Sequence, residues 1–148
     1  MAEDCIFCSI ASRAAPAHIL WEDEHTMAFL DIFPLSRGHT LVIPKRHIDR
    51  LTELPPAQYG AMLGAVSEMC RRIEQLTVNY NVGINQGAIA GQIVFHLHFH
   101  IIPRYREGEA FPRRRLPLDP ADAAELSRML SNGGGRAPPR EGTAPPKG

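Results

Sequence analysis

The sequence predicts an α+β domain on a largely antiparallel sheet of roughly five strands, and three observations carry that reading. Short runs of β-favouring residues lie on both sides of one long amphipathic stretch. Strand and helix do not alternate regularly, as a parallel βαβ sheet would require, and there is no internal repeat. The chain has 148 residues, enough for one core and too few for two comfortable ones.

Taken in order, Ile19 to Leu30 holds two such runs around Asp23-Glu24, which reads as a hairpin. Thr40 to Ile43 is a further short strand ended by Pro44, and Asp31 to His39 between them is a loop. Beyond Pro55-Pro56, Tyr59, Met62, Leu63, Val66, Met69, Cys70, Ile73 and Leu76 fall at steps of three and four, one helical stripe. Proline suits the first turn of that helix, because the amide it lacks would have had no intrahelical partner. Tyr80 to Ile84 can form a strand, and Asn85 to Gln92 is a loop whose glycines, Gly87 and Gly91, free its backbone to approach a ligand. A shorter C-terminal helix starts at Asp119-Pro120, an N-cap followed by proline, and ends near Asn132-Gly133. The domain is thus expected over 1–132. Gly133 to Gly148 is Gly, Pro, Ala and charge with almost nothing to bury, and is expected to be a disordered tail.

Lys plus Arg and Asp plus Glu each number 16, so no basic excess points to a nucleic acid, and a bound phosphate would belong to a small molecule. The start, Met-Ala-Glu-Asp-Cys, lacks the pattern of a signal peptide, and no apolar run reaches membrane length. A cytoplasmic location without membrane contact is the expectation. Cys5, Cys8 and Cys70 are odd in number and sparse, unlike a disulfide framework.

Phe95 to Pro103 carries the chemistry. Its alternation, read as a strand, puts His96, His98 and His100 on one face and Leu97, Phe99 and Ile101 on the other, with the imidazoles about 6–7 Å apart along the strand. Three of the chain's seven histidines in such a row make poor core filler. Metal ligation by all three demands convergence on one ion with bonds of about 2 Å, difficult from a flat strand, so phosphoryl chemistry ranks above it.

These residues resemble the histidine triad (HIT) superfamily, whose signature alternates histidine with apolar residues. The match is His96-Leu-His98-Phe-His100-Ile-Ile, preceded by Ala90-Gly91-Gln92 and followed by Pro103-Arg104. Upstream, Asp31-Ile-Phe-Pro-Leu-Ser-Arg-Gly-His39 through His47 looks like the family's second block, and the likeness runs from about Cys5 to Arg104.

The resemblance implies a HIT-like fold, a homodimer, and a purine nucleotide substrate attacked at its α-phosphate by His98. Water would then release the mononucleotide from the nucleotidyl-histidine. A neutral imidazole has a free lone pair near pH 7, and the phosphoramidate it forms is labile. His100, Gln92 and His39 are carried over as phosphate-side or leaving-group contacts, Asp31 as the ribose ligand, and Asn85 and Gly91 as further nucleotide contacts. Substrates would be nucleoside phosphoramidates, dinucleoside polyphosphates or aminoacyl-adenylates. A nucleotidyl transferase with another acceptor is the rival among enzymes. A nucleotide-binding interaction protein with vestigial catalysis is the rival outside them.

Cys5-Ile-Phe-Cys8 by itself fits a redox pair, half of a zinc site or two buried thiols. A subset of HIT proteins begins in the same way and adds residues corresponding to His47 and His96, which implies a structural zinc held by Cys5, Cys8, His47 and His96. Among the remaining features, Arg113-Arg114-Arg115 reads as solvated charge rather than a phosphate contact. Trp21 and Phe29 suit either a base pocket or the hairpin core, and Cys70 suits the core.

Overall fold

A computed structural model describes residues 4–131. Its elements are α1 (Ile6–Ala11), β1 (Ile19–Glu22), β2 (Thr26–Leu30), β3 (Thr40–Pro44), α2 (Tyr59–Ile73), β4 (Tyr80–Gly83), β5 (Phe99–Pro103) and α3 (Pro120–Ser131), with single 3₁₀ turns at Leu51–Glu53, Pro56–Gln58 and Ala88–Ala90. The five strands form one antiparallel sheet in the order β1-β2-β3-β5-β4. The α+β expectation therefore holds, with the long helix and the C-terminal helix both present.

The hairpin turns where expected because one carboxylate organises it. Asp23 Oδ1 accepts from the amides of His25 (2.9 Å) and Thr26 (2.7 Å) and from the Thr26 hydroxyl (2.7 Å). All five residues of β2 and of β3 are buried. Ala28, Leu30 and Val42 join the main core under α2 and α3, while Met27, Phe29, Leu41 and Ile43 join a second cluster with Phe7 and Ile10 of α1. Unbroken apolar runs belong to strands covered on both faces. The cover on the second face, α1, has only six residues and too little periodicity for the sequence to announce it.

Two expectations need correction. Of the α2 stripe, Tyr59 and Leu63 are exposed, and Ala65 sits among the buried residues instead. The stripe turns out narrower than a count at steps of three and four implies. The histidine segment is also not strand throughout, since β5 begins at Phe99. Upstream of it Leu97 N donates to Ile48 O at 2.7 Å, and the His96 ring bonds to the Pro44 carbonyl at 2.8 Å, so the chain leaves the ladder toward the turn after β3. The two-sided alternation survives this departure. Leu97 and Ile101 are buried in the main core, away from the histidines.

Asp119 Oδ2 accepts the Asp122 amide at 3.1 Å and caps α3, as its sequence suggests. The helix end expected at Asn132-Gly133 and the tail over 133–148 lie outside the described residues. Among the described residues no helix is long and apolar enough to cross a membrane.

Candidate active site and metal centre

A cavity of about 460 Å³ opens beside the histidine segment. Ile6, Phe7 and Ile10 of α1 and Phe29 of β2 give it apolar walls, and Asp31, Asn85, Gly91, His98, His100 and Arg115 line it too. Asp31 follows β2, Asn85 and Gly91 belong to the loop after β4, and His100 is on β5. The sheet thereby brings together residues distant in sequence.

His98 is buried, and its Nδ1 lies 2.7 Å from the His96 carbonyl oxygen. A carbonyl only accepts, so Nδ1 carries the proton and the Nε2 lone pair is left free. Burial lowers the pKa of this histidine, against smaller opposing effects of the His96 carbonyl and Asp31. The ring packs against Phe7 at 5.0 Å and His100 at 4.8 Å between centroids. That second spacing is closer than the strand rise alone suggests, because the rings lean toward each other.

A second chain of bonds fixes His39 and His100. The Leu35 amide donates to His39 Nδ1 at 2.9 Å, so the proton of neutral His39 is on Nε2, which is 2.9 Å from His100 Nδ1. His100 accepts there and carries its own proton on Nε2. Burial pushes both below the usual imidazole range, His39 to about 3 and His100 to about 4, with neighbouring histidines and Arg115 adding to the effect. Asp31 completes the group, with Oδ2 3.6 Å from His39 Nε2 and Oδ1 accepting the Phe33 amide at 2.8 Å. Desolvation raises the Asp31 carboxyl. Asp31, His39 and His100 lie close enough together to hold an ion, but the Leu35 amide occupies His39 Nδ1 and its Nε2 lone pair is protonated. His39 and His100 are built as a hydrogen-bond relay, with Asp31 beside them beyond hydrogen-bond distance.

Two residues expected at the phosphate do not line the cavity. His39 stands behind His100, and Gln92 is turned into its own loop. The Gln92 amide donates to Asp49 Oδ1 (2.9 Å) and Val94 O (3.2 Å), and its oxygen accepts from Gly87 N (2.8 Å). Trp21 packs on the main core, whereas Phe29 reaches the cavity wall. Arg115 overturns the reading of the arginine run as solvated charge. It lines the cavity with its Nη1 3.8 Å from Asp31 Oδ2. Nothing in a run of three arginines marks which one turns inward. Phe7, Ile10 and Asp49 were likewise not legible as site residues.

On the other side of His96 is a separate cluster. Cys5, Cys8, His47 and His96 place one ligand atom each within 4.8 Å of all the others. Cys5 Sγ is 3.4 Å from His96 Nδ1, and Cys8 Sγ is 3.2 Å from His47 Nδ1 and 3.6 Å from His96 Nδ1. Tetrahedral bonds of about 2.0–2.3 Å separate ligand atoms by roughly 3.3–3.8 Å, so the donor set fits a metal ion. His96 Nε2 donates to the Pro44 carbonyl at 2.8 Å, turning the Nδ1 lone pair toward the sulfurs as ligand-orienting partners do. The group can therefore hold a metal.

An antiparallel five-stranded sheet that sets spaced histidines against an apolar cavity defines a site of the histidine triad kind. Residues 12–107 match the HIT domain family, and the chain belongs to it. An uncharacterized HIT-like protein of Methanocaldococcus jannaschii is 46% identical over 106 residues, covering 71% of this chain and 81% of that one. The adenylylsulfatase HINT3 of Arabidopsis thaliana is 40% identical over 135 residues, 86% of this chain and 66% of that protein. Among solved structures, a Zn-bound histidine triad family protein from Mycobacterium smegmatis superposes with a TM-score of 0.73 at 39% identity, over 87% of this chain and 94% of that one. The family thus includes hydrolases.

Proposed function

We propose that the protein is a nucleotide hydrolase that cleaves at the α-phosphate of nucleoside phosphoramidates, dinucleoside polyphosphates or aminoacyl-adenylates through a nucleotidyl-His98 intermediate. The observation that carries this reading is the 2.7 Å bond from His98 Nδ1 to the His96 carbonyl, which leaves a buried, neutral imidazole with its Nε2 lone pair free beside a nucleoside-sized cavity. The adenylylsulfatase among the relatives supports the same bond as the point of cleavage.

In this reading the purine and ribose lie against Phe7, Ile10 and Phe29, with Asp31 bonded to the ribose hydroxyls. His98 Nε2 attacks phosphorus, and the leaving group departs with its bonding pair. His98 keeps its Nδ1 proton against the His96 carbonyl, so the adduct carries imidazolium charge and is itself easily displaced. Water then attacks, the nitrogen–phosphorus bond breaks back to Nε2, and the mononucleotide is released. His100, held by the His39 relay, offers its Nε2 proton to a phosphoryl oxygen, where developing charge is stabilised. Asn85 and Gly91 border the phosphate, and Gln92 holds the Gly87–Gly91 turn in shape through Asp49.

Cys5, Cys8, His47 and His96 are read as the ligands of a structural zinc ion, which the Zn-bound relative supports. When bound, zinc supplies a cross-link between α1 and the sheet and takes no part in the transfer. The protein is further proposed to act as a homodimer, which sedimentation at several concentrations would test.

The test incubates the full chain with adenosine phosphoramidate, a dinucleoside tetraphosphate and adenylyl sulfate in parallel, quenches in alkali, and examines the peptide containing His98 by mass spectrometry. A nucleotidyl adduct on His98 with release of AMP is expected. AMP binding without adduct or turnover would replace this reading with that of a nucleotide-binding interaction protein.

A further inference from the structure

Two cavities meet at the histidine end of the sheet. The second holds about 140 Å³, less than a third of the first, and lies against β4 and β5, with Asn81 and Ile102 in its wall. His100, Asn85 and Arg115 line both cavities, whereas His98 and Asp31 line only the larger. Among the described residues Arg115 is the sole Lys or Arg in either wall, and no carboxylate lines the smaller one. Its nearest acid, Asp31, is at 3.8 Å, near the limit of an ion pair, and 32% of the arginine side chain is open to solvent. The Arg115 charge is thus only loosely engaged within the protein.

We infer that the smaller cavity receives the leaving group and that Arg115 selects substrates whose leaving group is an oxyanion, such as sulfate, phosphate or carboxylate, over those that release an amine. The inference rests on the nucleotidyl transfer proposed above. A displacement at phosphorus runs in line, so the group leaves on the side opposite His98, toward His100 and Arg115. As the His98 nitrogen–phosphorus bond forms, the phosphorus–oxygen bond breaks and its electron pair goes to the departing oxygen. That oxyanion needs no proton, and its charge meets the guanidinium, a planar donor suited to two oxygens at once. An amine must instead take up a proton from solvent on its nitrogen as the nitrogen–phosphorus bond breaks. The cationic nitrogen formed on the way is repelled by the same guanidinium, and the neutral amine that departs gains nothing from it. The smaller cavity suits a compact oxyanion. In the second step water forms the new oxygen–phosphorus bond, the pair of the nitrogen–phosphorus bond returns to His98, and the surplus proton passes to solvent.

The experiment compares the full-length wild type with Arg115→Ala and Arg115→Lys on adenylyl sulfate and adenosine phosphoramidate, reading the ratio of the two kcat/KM values. The ratio of sulfate to amidate is expected to fall roughly 10- to 100-fold in Arg115→Ala, the scale set by removing one charged donor from a transition state, with part of it restored by lysine. An unchanged ratio would overturn the inference. Binding of inorganic sulfate, with and without AMP, is measured by calorimetry on the same proteins and needs no turnover. Sulfate should bind the wild type and bind Arg115→Ala at least tenfold more weakly. Absence of sulfate binding to the wild type, or equal binding to both proteins, also overturns the role of Arg115. Failure of the wild type to turn over either substrate would count against nucleotidyl transfer itself, while the sulfate measurement still decides for or against the anion site.

Discussion

The Nδ1 atom of His98 and the carbonyl oxygen of His96 are 2.7 Å apart, so one triad position sets the tautomer of the next through the backbone. His96 in turn is held by the Pro44 carbonyl on the neighbouring strand and faces the two cysteines. The proposed metal centre and the proposed nucleophile share a single short stretch of chain, yet each imidazole uses different atoms for its task.

That relationship predicts the behaviour of His98→Ala. Losing the nucleophile should lower kcat/KM by about 10³-fold or more on every substrate and abolish the alkali-stable adduct. Affinity for AMP, measured by calorimetry, should stay within about tenfold, because the apolar walls and Asp31 are intact. Retained turnover in the variant would remove His98 from the mechanism.

A second prediction concerns the metal. Six residues of α1 cannot be stable alone, and in the fold they contribute Phe7 and Ile10 both to the second core cluster and to the cavity wall. Cys8→Ser should therefore lower zinc content, measured by atomic emission after dialysis, from about one ion per chain toward none, and lower Tm by about 10 °C. AMP affinity should fall with it. A dialysed wild type without zinc but with an unchanged Tm would show that the cluster holds without metal.

Stability should also depend on pH in a defined direction. Folding pushes His39 to about 3 and His100 to about 4, while the unfolded imidazoles titrate near 6.5. Between those values the unfolded chain binds protons that the folded chain does not, so stability is full above about pH 6.5 and falls as pH drops toward about 4. Asp31, raised by burial, takes up its proton more readily in the folded state and opposes this, but it is one carboxyl against the two relay histidines and His98, which burial also lowers. Urea midpoints at intervals from pH 7.5 to 4.5 would show the decline, and a flat profile would contradict neutral burial of the pair.

Much of this architecture is legible in the residues themselves, for reasons that also explain what is not. The hairpin at Asp23, the start of α3 at Asp119 and the two-sided histidine segment follow from local chemistry: an aspartate that caps, a period of two, a proline where an amide is dispensable. The five cavity residues Asp31, Asn85, Gly91, His98 and His100, and the four of the metal cluster, were anticipated through the resemblance to a family pattern. Arg115 and α1 were not, because their placement depends on tertiary contact alone. Arg115 differs from Arg113 and Arg114 only in which way the chain carries it, and Gln92 is turned from the cavity by a distant partner, Asp49.

The last prediction tests how tightly the relay is positioned. Gly38 has φ +92°, a conformation that side chains rarely adopt, and a Cβ there would lie 2.7 Å from Leu76 Cδ1 and 3.3 Å from Pro103 Cγ. Leu76 can swing its terminal methyl aside, but the backbone cannot relax without moving His39, the next residue, whose ring is fixed between the Leu35 amide and His100. Gly38→Ala should therefore cost about 1–3 kcal/mol of stability from backbone strain. It should also lower kcat several-fold beyond what that destabilisation explains, measured at a temperature where the variant is fully folded. Loss of stability with unaltered kcat would mean that His100 does not need His39 to hold it.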